Sequence, residues 1–164
     1  MNWEAAGAVG EIVGAIAVVI TLAYLAVQVR YAKSAAADSN RLLRATGVRE
    51  MLLSQVQNDD VRSSAIKLMG SEPYYSDFAD KFGVENVDVE RLDFIAQYYF
   101  WLHWGQFSTT KTNKDLAELQ NVVSTFYSTP AIRYAWHHSP LGKVMFEKTF
   151  VDFVNQSIGE SYDV

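Results

Sequence analysis

Cysteine is absent from this 164-residue sequence, and proline occurs only three times. Without cysteine the chain has no disulfide framework, no thiolate metal ligand and no cysteine nucleophile. Basic residues are also scarce, because 14 Lys+Arg stand against 19 Asp+Glu and give a net charge of −5. Nucleic-acid binding usually needs a basic surface, so we expect no nucleic-acid partner.

Sequence motifs for catalysis are missing as well. The chain has no glycine-rich phosphate loop, no G-x-S-x-G and no dinucleotide fingerprint. Its histidines, His103, His137 and His138, lack the three- or four-residue spacing that places two imidazoles on one helix face. We therefore predict no catalytic residue, no metal site and no cofactor.

A long apolar run lies near the N-terminus. Residues 5–29 read AAGAVGEIVGAIAVVITLAYLAVQV and contain one charged residue, Glu11. A helix needs about 20 apolar residues to cross the hydrocarbon core of a bilayer. Core helices of soluble proteins are rarely apolar on all sides for this length, and signal peptides begin with basic residues that are missing here. The run predicts a transmembrane anchor over residues 1–33.

Positive charges predict the orientation of this anchor. Arg30, Lys33, Arg41 and Arg44 follow the apolar run, whereas no Lys or Arg precedes it. The positive-inside rule then places the N-terminus outside and the C-terminal residues in the cytoplasm, with membrane lipid around the anchor.

Every polar side chain inside the apolar run falls on one face of the predicted helix. Glycine or polar residues recur there every seven positions, other residues lie between them at steps of three and four, and Gly10 is next to Glu11 on the same face. The face comprises Gly7, Gly10, Glu11, Gly14, Val18, Thr21, Leu25 and Gln28. Gly10 and Gly14 form a G-x-x-x-G motif, which lets two helices approach closely. This face predicts a homo-oligomer or a membrane-protein partner. A ring of Glu11 carboxylates that lines a pore is the alternative.

The remaining residues predict an all-α architecture, in which the membrane helix continues into a cytoplasmic helical bundle. A helical stalk is expected over residues 34–58 and a helical domain over residues 59–164. Within the domain, residues 71–86 are acidic, contain Pro73 and Gly83, and predict a loop. Helices are predicted over residues 61–69, 87–107 and 113–127, with two more beginning at Thr129-Pro130 and Ser139-Pro140, the last reaching residue 158.

Aromatic residues are concentrated in the predicted helix 87–107. Aromatic side chains at every turn of one helix are typical of a core. The alternative is a pocket for lipid or another ligand, for which the candidate residues are Tyr98, Trp101, His103 and Trp104.

The sequence of the predicted anchor is similar to that of a known family. Its Trp3-Glu4 and Gly10-Glu11 pairs and the pattern Tyr-Leu-Ala-x-Gln-x-Arg ending at Arg30 resemble small bacterial membrane proteins of unassigned activity. Those proteins begin with such an anchor and continue into a helical domain, which implies a location in the bacterial inner membrane. Tyr31-Ala32-Lys33 departs from the family pattern, where Asn and Thr usually follow the arginine.

Three functions agree with these features. The first is a non-enzymatic, single-pass membrane protein that self-associates through the Gly/Glu/Thr/Gln face and whose cytoplasmic domain is a scaffold or regulator. The second is a homo-oligomeric ion channel with a Glu11 ring. The third is a membrane-associated enzyme or lipid-binding domain that uses the aromatic helix and His103.

Overall fold

The computed structural model describes residues 3–159, except the side chains of Ala5 and Ala6. Within this range the chain forms seven α-helices and no strand. The helices are α1 (Trp3–Gln57), α2 (Asp59–Met69), α3 (Glu72–Phe82), α4 (Asn86–Thr109), α5 (Asn113–Tyr127), α6 (Pro130–His138) and α7 (Lys148–Ser157), with a 3₁₀ turn at Lys143–Met145. The predicted all-α class is confirmed, as is a long apolar N-terminal helix followed by a helical domain.

The chain divides into two compact units, Met1–Asn40 and Arg41–Val164. Helix α1 contributes residues to both, so residues 41–57 of the predicted stalk belong to the second unit. Ala45 and Leu52, seven positions apart on one helix face, are each 1% exposed in the core of that unit. This segment therefore contributes one face to the core, whereas Leu43 and Met51 are 66% and 52% exposed.

Helix α4 lies at the centre of the second unit, as its apolar composition predicts. It packs against α3, α5, α6 and α7. Phe100 is fully buried, and its ring centroid lies 5.1 Å from those of both Tyr127 and Trp136. Buried aromatic rings contribute large apolar areas and favour offset or edge-to-face contacts. The core is consequently built largely from aromatic pairs around one helix.

The acidic segment 71–86 was predicted as a loop, and this prediction is wrong because most of the segment is α3. Pro73 lies in the first turn, where its missing N–H costs nothing, and Gly83 follows the last turn with φ +66°. Tyr75 and Phe78 of this helix are 2% and 3% exposed. Proline and glycine here mark the two ends of a helix rather than its absence.

Helix α2 begins at Asp59, two residues before its predicted start at residue 61. The N-cap is Asn58, whose Oδ1 accepts hydrogen bonds from the backbone N–H groups of Asp60 and Val61, both at 3.1 Å. Gly70 ends the helix in the left-handed conformation with φ +61°, as predicted.

Ser139-Pro140 does not open the last helix, contrary to the prediction. Ser139 follows the end of α6, and its hydroxyl accepts a hydrogen bond from Leu141 N at 3.2 Å while donating to Asp93. Ser139 Oγ accepts from Leu141 N as a capping side chain does, but the backbone after it forms a turn, in which Gly142 N donates to the Ser139 carbonyl oxygen at 2.9 Å. The chain instead turns tightly at Gly142, where a Cβ would lie 2.6 Å from the Trp136 carbonyl oxygen, and α7 begins only at Lys148.

Candidate functional site

The N-terminal part of α1, up to residue 29, is exposed on every side and mostly apolar. Its most apolar window of 18 residues has a mean hydropathy of 2.4, and none of that window is buried. Ile12, Val19 and Leu22 are each at least 60% exposed. By length and composition this is the one described helix that could cross a membrane.

The residues of the predicted oligomer or pore face are all exposed as well, from Gly7 to Gln28. Among the described residues, no atom outside the local helix backbone lies within 4 Å of a Cβ built on Gly7, Gly10 or Gly14. The chain itself therefore gives no steric reason for glycine at these three positions. Thr21 Oγ1 donates to the Ala17 carbonyl oxygen at 2.8 Å, so this hydroxyl is satisfied within its own helix.

The four candidate pocket residues of α4 have different surroundings. Trp101 and Trp104 contact each other with ring centroids 5.3 Å apart, and Arg44 lies 5.9 Å from the ring centroid of Trp104. Tyr98 lines an apolar cavity of about 270 Å³ together with Leu53, Val56, Ile95 and Tyr99. Trp101 and Trp104 are thus brought together by α4, whereas Tyr98 faces the cavity.

His103 is a buried histidine in an aromatic cluster. It is 3% exposed, and its ring lies within 6.2 Å of the ring centroids of Tyr99, Phe126 and Tyr127. Burial lowers the pKa of His103 to about 4, because the charged imidazolium loses its hydration. The imidazole is therefore neutral at pH 7, and its Nδ1 has no hydrogen-bond partner among the described residues.

A buried polar cluster centred on Asp93 was not predicted from the sequence. Asp93 is 1% exposed and accepts hydrogen bonds from the hydroxyls of Tyr74 at 2.9 Å, Tyr75 at 3.1 Å and Ser139 at 3.1 Å. Gln97 Nε2 donates to Ser139 Oγ at 3.0 Å. The cluster joins α3, α4 and the turn after α6. The four-residue spacing of Asp93 and Gln97 in an apolar helix is the one sequence signal that could have identified it.

The electrostatics of this cluster follow from its burial. Desolvation raises the pKa of Asp93 to about 6, although the hydroxyl donors act in the opposite direction. Burial and the adjacent carboxyl also raise the pKa values of Tyr74 and Tyr75, which keeps both hydroxyls protonated as donors. Since Asp93, Gln97 and Ser139 are all at most 4% exposed, the cluster holds helices together rather than offering a surface to a substrate.

A second buried charge lies on α2. Arg62 is 1% exposed; its Nη1 donates to Asp59 Oδ1 at 2.9 Å and to the Gln55 carbonyl oxygen at 3.3 Å, and its Nε donates to Glu90 Oε2 at 3.3 Å. Arg91 reaches the same Asp59 carboxylate from the exposed side at 2.9 Å. The ion pairs connect α2 to α4, and the hydrogen bond to Gln55 connects α2 to the end of α1.

His137 and His138 end α6. Lys143 Nζ lies 2.9 Å from His137 Nδ1, and the ring centroid of His138 lies 4.4 Å from that of Tyr134. Both histidines line a cleft that also contains Lys81 and Arg133. No group of three or more His, Cys, Asp or Glu residues in the described part of the chain is arranged to hold a metal ion.

Comparison with known protein families, curated proteins and solved structures found no match to this chain. The resemblance of the anchor therefore stays a prediction.

Proposed function

We propose that this chain is a single-pass membrane protein that self-associates through one face of its anchor and carries a cytoplasmic helical domain that acts as a scaffold or regulator. The observation that carries the proposal is the exposed, apolar surface of the N-terminal part of α1, on which three glycines have no packing neighbour among the described residues. Exposed apolar area of this kind is unfavourable in water and favourable in a bilayer.

The glycines support self-association, because glycine lowers the stability of a helix and therefore usually has another role. Glycine in a helix interior is less favourable than alanine by about 0.5–1 kcal/mol in water, so a glycine usually has a compensating role. Close approach of a second helix is such a role, and the G-x-x-x-G spacing of Gly10 and Gly14 places both on the contact side.

Native mass spectrometry of the full chain in nanodiscs tests the self-association. We expect a defined oligomer that Gly10→Leu combined with Gly14→Leu converts to monomer. The matched control is Ala23→Leu combined with Ala26→Leu, because Ala23 lies nine positions from Gly14, about two and a half turns away and hence on the opposite side. An oligomer that survives the glycine substitutions, or dissociates equally in the control, overturns the proposed interface.

The absence of native cysteine allows a clean test of the membrane orientation. Glu4→Cys and Ser64→Cys each introduce the sole thiol, and both positions are exposed. In spheroplasts of an expressing bacterium, a membrane-impermeant maleimide should label position 4 and leave position 64 unlabelled until lysis. The reverse pattern contradicts the proposed orientation, and labelling of both positions without lysis contradicts the membrane span.

An ion pathway is the second candidate function, because Glu11 is an ionisable residue on the face that is proposed to meet other copies. Liposome flux tests it directly. A cation leak that Glu11→Gln abolishes supports the pathway, whereas no leak, or a leak that Glu11→Gln leaves unchanged, rejects it.

A further inference from the structure

A cleft of about 390 Å³ runs along the solvent side of α6. One wall is formed by the end of α3, with Lys81 and Phe82. The other wall is one face of α6, whose residues recur at intervals of three and four positions: Pro130, Arg133, Tyr134, His137 and His138. The opposite face of α6 carries the buried Ala135 and Trp136, so the cleft is on the side that the core leaves uncovered.

The side chains that line the cleft are basic, in contrast to the acidic chain as a whole. Its described lining contains Lys81, Arg133 and two histidines but no Asp or Glu, whereas the whole chain has a net charge of −5. Lys143 adds a further cation beside His137. Because an ammonium group is only a donor, Lys143 Nζ donates to His137 Nδ1, at 2.9 Å.

Tyr134 positions two of these groups. Lys81 Nζ lies 4.5 Å from the centroid of the Tyr134 ring, and the His138 ring centroid lies 4.4 Å from the same ring. A cation over an aromatic face is held by the ring quadrupole, which reduces the freedom of an otherwise exposed lysine. The cleft thereby gathers cationic and N–H donor groups around one aromatic side chain.

We propose that this cleft binds the phosphoryl group of a phosphate-bearing ligand. Arginine and lysine are the side chains that proteins use for phosphate, and a phosphoryl group accepts hydrogen bonds from several directions at once. Ligand sites commonly measure about 300–1,000 Å³, so this volume leaves room for the group to which the phosphate is attached. A lipid headgroup and a soluble phosphate compound share this chemistry.

The binding test uses the full chain in maltoside micelles, which contain no phosphorus. Inorganic phosphate and a short-chain phosphatidic acid are titrated separately, and binding is followed by phosphorus-31 NMR line broadening. We expect at least one probe to bind and Lys81→Gln combined with His138→Gln to weaken it by about tenfold or more, since both side chains face the cleft and are exposed. Lys67→Gln is the matched control, because Lys67 is an exposed lysine outside the described lining.

The outcomes separate the possible sources of the phosphate. Binding of both probes supports recognition of the phosphoryl group itself, and binding of phosphatidic acid alone supports a lipid headgroup. The proposal is overturned if neither probe binds at concentrations up to about 10 mM. It is also overturned if Lys67→Gln weakens binding as much as the double variant does. If near-UV circular dichroism shows that the double variant is unfolded, Lys81→Glu alone replaces it with the same expectation. Phosphate binding in this cleft does not depend on the membrane orientation or on self-association. A negative binding result would therefore reject this proposal and leave the proposed function standing.

Discussion

Ser139 Oγ donates a hydrogen bond to Asp93 Oδ2 at 3.1 Å, across 46 positions of sequence. The two residues lie at most 4% exposed, in the middle of the helical unit. Through this contact the turn that follows α6 is tied to α4, the central helix. A buried carboxyl with hydroxyl donors is satisfied when ionised, yet it loses the hydration that it has in the unfolded chain.

Asp93 should make stability fall as the pH rises from about 4 to 6. Its pKa is raised from 3.8 to about 6 by burial, so the folded state holds its proton more tightly than the unfolded state. The stabilisation is fully present below pH 3.8 and is lost as the pH rises through 6, by about 3 kcal/mol in total. The free energy of unfolding of Asp93→Asn, measured by urea unfolding in maltoside micelles, should rise relative to that of wild type by about this amount between pH 4 and 6.5. Asp88→Asn, an exposed carboxyl of the same helix, is the control and should not show this gain.

His103 should make stability fall as the pH decreases from about 6.5 to 4, which is the opposite of the effect of Asp93. Burial lowers its pKa from 6.5 to about 4, so its contribution is fully present above pH 6.5 and is lost as the pH falls through 4, again by about 3 kcal/mol. His103→Phe removes the titration and fits the surrounding aromatic rings. Its unfolding free energy relative to wild type should rise as the pH falls from 6.5 to 4. A constant difference between variant and wild type over this range contradicts the assignment.

Gly105 should tolerate no added side chain without loss of stability. A Cβ at this position would lie 3.3 Å from Ala45 Cβ and 3.8 Å from Leu42 Cδ2, where α4 packs against the last part of α1. Gly105→Ala should therefore be destabilising by about 1–3 kcal/mol despite the better helix propensity of alanine. Gly47→Ala is the matched substitution, because nothing lies within 4 Å of its Cβ, and it should stabilise by up to about 1 kcal/mol. The two thermal shifts should have opposite signs; equal signs contradict the packing argument.

Arg62 should be more important for stability than its neighbour Arg91. Arg62 is 1% exposed and bonds Asp59 and Glu90, so Arg62→Ala leaves Glu90 partly buried without its cation and should cost about 3 kcal/mol. Arg91 is 41% exposed and pairs with the exposed side of Asp59, where water screens the interaction. Arg91→Ala should change the urea midpoint much less. Equal losses in the two variants would show that burial is not the deciding factor.

Helix boundaries show which local signals could be used for prediction. Residues 113–127 were predicted as a helix and form α5 with those bounds, because Thr112 precedes them as an N-cap that accepts a hydrogen bond from Asp115 N. Thr129-Pro130 opens α6 as predicted, although the Thr129 side chain makes no capping hydrogen bond. The corresponding Ser-Pro signal failed at residue 139, because the chain turns there with Gly142 close against the Trp136 carbonyl oxygen, a contact that no local pattern reveals.

Candidate sites within one helix could be predicted from the sequence, whereas those formed by several helices could not. The anchor and its Gly/Glu/Thr/Gln face are local features of one helix, so spacing was enough to list their residues. The Asp93 cluster joins Tyr74 and Ser139 from separate helices, and the cleft at α6 joins Lys81 to Arg133. Such contacts depend on how α3, α4 and α6 pack, which single-sequence periodicity does not specify.

The all-α class, the apolar N-terminal helix and most helix ends could be predicted from the sequence, because these depend on residue periodicity and capping within a few positions. The packing of distant segments was needed to show that Ala45 and Leu52 lie in the domain core, that Asp93 and Arg62 are buried with their partners, and that four basic or imidazole side chains line one cleft. Burial and desolvation depend on contacts between residues distant in sequence, so the shift in the pKa of Asp93 exists only when those contacts form.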